Sequence, residues 1–283
     1  MLHHHRTVRL LHATLLVCAS RAVAAKVERR QHLLEYARLH LRRLGSDYYG
    51  GWSVVLDLLS PHSVIYSFGL GQDISWDLEL IKASGAHVHG FDNTPRSNRF
   101  FDTGKAARQA ERQGMLSEYT DKFHRHKVLL CPRDGNLTLA LPVGHRSSYA
   151  TLDGLSMGVK PGTQWIAPCS SVGTLLQQLG HGSRLDVLKL DVEGGEFDYF
   201  DALLRTPHGM AAAVPPVRRL PACTLLIEFH SRLQKEGYAV KAQAMLSLQS
   251  LGFTLIHNVV TTGGSDDAVF LNPRFCPALP NTA

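Results

Sequence analysis

The segment Ser63–Asp92, SVIYSFGLGQDISWDLELIKASGAHVHGFD, constrains the fold more than any other part of the chain. An apolar run, Val64–Phe68, reaches Gly69-Leu70-Gly71, a helical spacing follows over Ile74–Ser84, and a second apolar run, Ala86–Phe91, ends in Asp92. Short apolar runs bounded by glycine read as strands buried on both faces, and parallel neighbours need a crossover helix between them. The order strand, glycine turn, helix, strand, acid therefore predicts a βαβ unit in a parallel sheet. In such a unit Ser67 leads into the turn, the backbone of Gly69 and Gly71 approaches a ligand, and Asp92 reaches toward a ribose diol. The third glycine of the dinucleotide fingerprint is missing, because the chain continues Gln72-Asp73-Ile74. Asp73 is a capping acid at the helix start, where it repels the diphosphate that a helix N-terminus would attract. A nucleoside cofactor without phosphate, such as S-adenosylmethionine, suits this turn better, since its ammonium tolerates acids.

A second informative stretch is Arg184–Asp198, RLDVLKLDVEGGEFD. The buried strand Val187–Leu190 runs into Asp191 and Glu193, and a helix begins near Glu196. Carboxyl ends of strands form the ligand crevice of doubly wound sheets. Asp191 there faces a methionine ammonium or accepts a proton from a substrate hydroxyl, and Glu193 is placed to do the same. The competing role for these acids is to complement the helix dipole, which suits Glu196 best. Farther on, Thr224–Phe229 reads as a strand that places Glu228 and His230 on one side by alternation. His230 is then a general base near neutral pH, or a satisfied histidine at a strand end. An Asp/Glu/His set also suits a divalent cation, but spacing alone fixes no ligand geometry, so no metal site is assigned. After a third strand at Val128–Leu130, Asp134 is a candidate cofactor contact or a turn residue with Gly135.

The remaining pattern predicts helices over Lys26–Leu44, Lys105–Lys122, from a Ser170 or Ser171 cap to Leu179, and over Glu196–Leu204 and Tyr238–Leu251. Strands are expected at Asn136–Leu141, Gln164–Ala167, Phe253–His257 and Ala268–Leu271, the last two as a closing antiparallel pair. Pro142–Gly162 reads as a long loop and Pro207–Pro221 as an exposed connection.

The residues Gly51-Trp52, SVIYSFGLGQDISWDLELI, GAHVHGFDNTPRS, VLKLDVEGGEFD and LLIEFH resemble, in that order, the FkbM-type S-adenosylmethionine-dependent methyltransferase family. The resemblance runs roughly from Gly51 to Asn272. It implies an α/β, Rossmann-like class I methyltransferase fold, with a mostly parallel doubly wound sheet and an antiparallel closing strand. It also implies S-adenosylmethionine as methyl donor and oxygen on a sugar or other small hydroxylated molecule as acceptor. On this reading Ser67, Gly69, Gly71, Asp92, Asp134 and Asp191 bind the cofactor, and Asp191, Glu193 and His230 stand nearest the chemistry. Two other classes share the layout. One is a nicotinamide-dependent oxidoreductase, for which the glycine fingerprint is incomplete and no Tyr-x-x-x-Lys pair stands out. The other is a non-catalytic glycan- or protein-binding relic of the fold.

The 283 residues suffice for one α/β core with an N-terminal extension. We divide the chain into a targeting segment over 1–24, a helical extension over 25–52 and the methyltransferase domain over 53–283. Arg6 and Arg9, the short apolar stretch Leu10–Ala19 and Ala22-Val23-Ala24 form a secretory signal pattern, too short to span a bilayer. A mitochondrial or plastid transit peptide and an unprocessed N-terminus are the alternatives. Net charge is +6, much of it within Arg21–Arg43, a solvated basic helix with no accompanying nucleic-acid-binding motif. Of the five cysteines none forms a CxxC, and Cys131, Cys169, Cys223 and Cys276 are free to pair in an oxidising compartment. Asn136-Leu137-Thr138 is a glycosylation sequon on the same route.

Overall fold

The computed structural model describes residues 24, 27–47, 49–144, 150–151, 158–182, 184–204, 220–235, 237–260 and 265–279. Residues 1–23, and with them most of the expected targeting segment, lie outside this set, as does most of the Pro207–Pro221 connection and part of the Pro142–Gly162 loop.

The βαβ unit forms where the sequence places it. Strand β3 is Val64–Phe68, helix α2 is Ser75–Ser84 and strand β4 is His87–Phe91, with β3 and β4 parallel. Helix α2 ends at Gly85, whose φ of 74° is the left-handed conformation that glycine adopts without steric cost. The chain is built into a seven-stranded sheet with β5 (Phe123–His126), β10 (Leu185–Leu190), β11 (Ala222–Phe229), β12 (Thr254–Val260) and β13 (Asp266–Leu271). The order is β12-β13-β11-β10-β3-β4-β5, and only β13 runs antiparallel to its neighbours. The chain moves outward from β3 through β4 to β5, then returns to the other side of β3 at β10. That reversal is the topological switch point of a Rossmann-like doubly wound sheet.

Residues alternating along the strands supply two cores, one per face. On one face Ile65, Val88, Val187 and Leu226 pack with Trp76, Leu78 and Ile81 of α2 and Ala106 and Ala110 of α4 (Lys105–Arg112). On the other, Tyr66, Phe68, Leu188 and Leu225 pack with α6 (Val172–Gln178), α7 (Gly195–Leu204) and α8 (Tyr238–Ser250). Strands covered on both sides are mostly apolar, with only isolated polar positions such as Ser67 and Lys189, which is why β3, β10 and β11 were legible.

A helix at residues 27–39, α1, adds Leu33, Leu34 and Ala37 to the first core. It is shorter than its amphipathic pattern predicts. Leu41–Leu44 is instead strand β1, paired antiparallel with β2 (Trp52–Val55), so the buried Trp52 and Val54 pin the end of the extension to the domain. The predicted helix Lys105–Lys122 is also divided. Gly114, at φ 66°, separates α4 from α5 (Leu116–Lys122). The third strand of the main sheet is β5, not Val128–Leu130. Leu129–Leu130, β6, belongs to a second sheet of order β6-β9-β7-β8, with β7 Gly135–Ala140, β8 Ala150–Thr151 and β9 Trp165–Ser170. A disulfide joins Cys131 to Cys169 across that sheet, and another ties Cys223 on β11 to Cys276 beyond β13.

Polar side chains explain why β5 escaped the pattern. His124 and His126 meet His87 and His89 on β4, with ring nitrogens 2.8 Å apart for His87–His124 and 3.0 Å for His89–His126. His181 stacks edge-on to His89 and its Nδ1 lies 2.8 Å from the Tyr66 hydroxyl. Each nitrogen pair needs one N–H and one lone pair, so the two rings of a pair cannot both be protonated. Burial, then the neighbouring imidazoles, push His89 down to about 3, and burial lowers His124, His126 and His181 as well. Their unfolded values lie near 6.5. Below that pH the unfolded chain binds more protons than the folded one, so the stability these rings confer is present above about 6.5 and is lost as pH falls toward about 3. The melting temperature is expected to drop between neutral pH and pH ~5, and His89→Asn to flatten that slope in a pH series of thermal melts.

Candidate functional site

A cleft opens at the carboxyl ends of β3 and β10, at the switch point, and encloses about 730 Å³ of space with its mouth included. Phe68, Phe91, Leu129, Leu130, Leu137 and Leu139 make one wall apolar, the leucines coming from the second sheet. Tyr49, Asp92, Thr94, Arg96, Asp191 and Glu193 line the rest, with Gly69 and Gly71 in the floor.

Both glycines have positive φ, 79° at Gly69 and 55° at Gly71. A Cβ on Gly69 would overlap the Asp191 carbonyl, so this glycine lets the ends of β3 and β10 close on each other. A Cβ on Gly71 would press on the Tyr49 hydroxyl at 2.9 Å. Asp92 is buried beneath the turn. Its Oδ2 accepts from the Leu70 and Gly71 amides, both at 3.0 Å, and its Oδ1 accepts from the Thr94 amide at 2.8 Å. The acid expected to hold a ribose thus also holds the glycine turn, and the turn amides are already bonded. Asp73 Oδ1 accepts from the Ser75 amide at 2.7 Å and from Gln109 Nε2 at 2.8 Å, so the α2 start carries its own anion.

Two of the expected cofactor residues lie elsewhere. Asp134 is on the surface, outside the cleft lining, where Oδ1 accepts from the Ser171 amide at 2.8 Å and Oδ2 from the Thr174 hydroxyl at 2.7 Å. It supports the start of α6, and the Thr174 bond, with that amide, lowers its carboxyl below the usual range. Ser67 is fully buried opposite Lys189 in the strand register and does not line the cleft.

The acids after β10 and the end of β11 do converge. His230 is 1% exposed, and its Nε2 lies 3.7 Å from Asp191 Oδ1, 3.4 Å from Glu193 Oε2 and 3.6 Å from Glu228 Oε1. Behind the ring Glu196 is fully buried, accepting from the His230 amide at 2.8 Å and the Gly194 amide at 2.9 Å. Burial alone would lower His230, but the Glu193 and Glu196 carboxylates outweigh it and hold the imidazole well above its ordinary value. His230 is therefore a cation at neutral pH in this arrangement. That changes the role read from the sequence, because an imidazolium has no lone pair with which to accept a proton. Burial, then the Glu228 charge, raise the Asp191 carboxyl. Glu193 sits at φ 48°, an uncommon conformation for a residue other than glycine, at the cleft rim.

Three contributors were missed. Lys189 is a buried lysine inside an apolar strand, a signal that was present in VLKL. Its Nζ donates to the Gly69 carbonyl at 3.1 Å, lies 4.0 Å from Asp191 Oδ2 and sits 5.1 Å above the Trp52 ring. Asp77, on the buried face of α2, is pushed up to about 6 by burial, with Lys189 opposing the rise. Tyr49 comes from the break after β1, where no periodicity marks it; burial, then Asp191, push its phenol up to about 12.

No family model matches the chain, and no curated protein matches it.

Proposed function

We propose that this chain is an S-adenosylmethionine-dependent methyltransferase of the class I type, acting on a hydroxyl of a sugar or other small acceptor. The observation that carries the reading is the glycine turn. Its Leu70 and Gly71 amides are bonded to Asp92, and Asp73 occupies the α2 start, so the donors a pyrophosphate needs are taken and anions replace them. A phosphate-free nucleoside avoids that conflict, which favours S-adenosylmethionine over a nicotinamide dinucleotide. The sheet order, with the single antiparallel strand β13 beside β11, agrees with the class I layout implied by the resemblance. The apolar wall suits an adenine ring, and Asp191 and Glu193 give the sulfonium and ammonium charges an anionic side on which to rest.

Methyl transfer needs the acceptor oxygen in line with the sulfonium carbon, so positioning supplies much of the rate. As the C–O bond forms, the S–C bond breaks, the sulfur keeps the electron pair as a thioether, and the hydroxyl proton passes to a base. With His230 held as a cation, Glu193 is the base at the rim, and His230 orients the carboxylates around it. Incubation with methyl-labelled cofactor and a panel of glycans and hydroxylated small molecules tests the assignment. Label on oxygen supports it, and label on nitrogen or carbon overturns the acceptor class.

We also place the mature chain on the secretory route. Cys131–Cys169 and Cys223–Cys276 form in an oxidising compartment, and Asn136 of the sequon is exposed on β7. Among the described residues no helix is long and apolar enough to cross a membrane.

A further inference from the structure

The ends of β10 and β11 bring one oxygen of Asp191 and one of Glu228 to 3.7 and 3.6 Å from His230 Nε2, and the three donor atoms all lie within 4.8 Å of one another. These separations are too long for good hydrogen bonds. The charge among these carboxylates is supplied by the His230 imidazolium, and a divalent cation on Nε2 would take the place of that ring's proton. A divalent cation about 2.1–2.2 Å from each donor holds neighbouring donors roughly 3.0–3.6 Å apart, close to the spacing found. Asp191 Oδ2 is turned the other way, toward Lys189 Nζ, which leaves Oδ1 for the histidine side.

The far side of the imidazole is an independent observation. His230 is 1% exposed, and its Nδ1 makes no hydrogen bond within normal range, the Glu196 Oε1 lying 3.4 Å away. Glu196 is itself locked by two backbone amides. A metal-bound imidazole characteristically turns its second ring nitrogen to a carboxylate or carbonyl, which fixes the ring and raises its basicity as a ligand. Glu196 stands where that outer carboxylate would stand, and Nε2 is thereby aimed at the oxygens of Asp191, Glu193 and Glu228.

We infer that Asp191, Glu228 and His230 form a binding site for one divalent cation, with Glu196 as the positioning residue behind the histidine. Two carboxylate oxygens and one imidazole nitrogen suit Mn²⁺ and its close neighbours. Asp191 touches the glycine turn at Gly69 and faces His230, so the cation borders the cleft at Asp191. There it would favour an acceptor with two adjacent oxygens, a sugar diol or a hydroxy acid, and lower the pKa of the hydroxyl whose proton Glu193 takes. Only this use of the cation rests on the methyltransferase reading; the binding itself does not.

The test is titration of the full chain with Mn²⁺ in the absence of any cofactor, followed by the loss of the free-ion paramagnetic resonance signal. One saturable equivalent is expected, weakened about 10–100-fold in Glu228→Gln and Glu196→Gln and unchanged in Asp134→Asn. Pulsed measurements on the wild-type complex supply a readout that needs no variant, since a bound imidazole couples its nitrogen to the manganese spin. No binding at millimolar Mn²⁺, or bound Mn²⁺ without nitrogen coupling, overturns the site. So does unchanged affinity in a folded Glu228→Gln protein.

Discussion

Glu193→Gln is expected to lose about 10²–10⁴ in turnover, more than it loses in affinity for S-adenosylmethionine. The amide preserves the shape and the left-handed backbone at this position, where φ is 48°, but removes the basic oxygen from the rim. Glu193 Oε2 lies 3.4 Å from His230 Nε2, and a neutral glutamine beside that ring withdraws one of the charges that hold the imidazole up. The larger loss should therefore appear in kcat, with a smaller fall in cofactor affinity, since Asp191 remains as the other anion beside the sulfonium and ammonium. Steady-state kinetics paired with calorimetry reads both. Wild-type turnover in a folded Glu193→Gln protein would move the base to another group or remove the need for one.

Asp92→Ala carries the second large effect. The carboxylate accepts three backbone amides, from Leu70, Gly71 and Thr94, under a turn that has no other partner for the first two among the described residues. Removing it leaves the buried Leu70 amide and the half-buried Gly71 and Thr94 amides without this acceptor, a cost of about 3–5 kcal/mol when each charged bond contributes about 1.5–3 and water and relaxation of the turn offset part. For a domain of this size that lowers the melting temperature by roughly 6–20 °C. Asp92→Asn should recover only part of it, since one amide-group oxygen replaces two carboxylate oxygens. Because the same acid shapes the floor of the cleft, cofactor affinity should fall with stability. Differential scanning calorimetry and cofactor titration on the same preparations check the two together; a stable Asp92→Ala protein would show that the turn needs no anchor.

The parts legible in the sequence are those whose environment leaves a single reading. Val64–Phe68 and Leu185–Leu190 lie between two cores and are apolar at most positions, so their strands and the acids at their ends could be placed. Phe123–His126 could not, because β5 is the edge strand of the sheet and is held by histidines of β4 that are distant in sequence. Leu41–Leu44 continues a helical spacing, yet pairing with Trp52–Val55 buries more, and tertiary contacts override local pattern. At the site, the residue types at Asp92, Asp191, Glu193 and His230 were readable but their partners were not. A lone acid after a strand looks the same when it awaits a ribose as when it holds two amides. The charge of His230 is set by carboxylates from the end of β10, from β11 and from α7, an arrangement that spacing along the chain does not encode. Asp134 is the clearest case of mistaken purpose, since its bonds to Ser171 and Thr174 join positions far apart in sequence.

Calorimetric titration of the full chain with S-adenosylmethionine, and separately with NAD, tests the central claim most directly. The account predicts one saturable S-adenosylmethionine site with micromolar affinity, weakened when Gly71 is replaced by valine, and no heat from NAD at the same concentrations. Saturable NAD binding with none from S-adenosylmethionine would contradict it, because the glycine turn would then be accepting the diphosphate that Asp92 and Asp73 are argued to exclude.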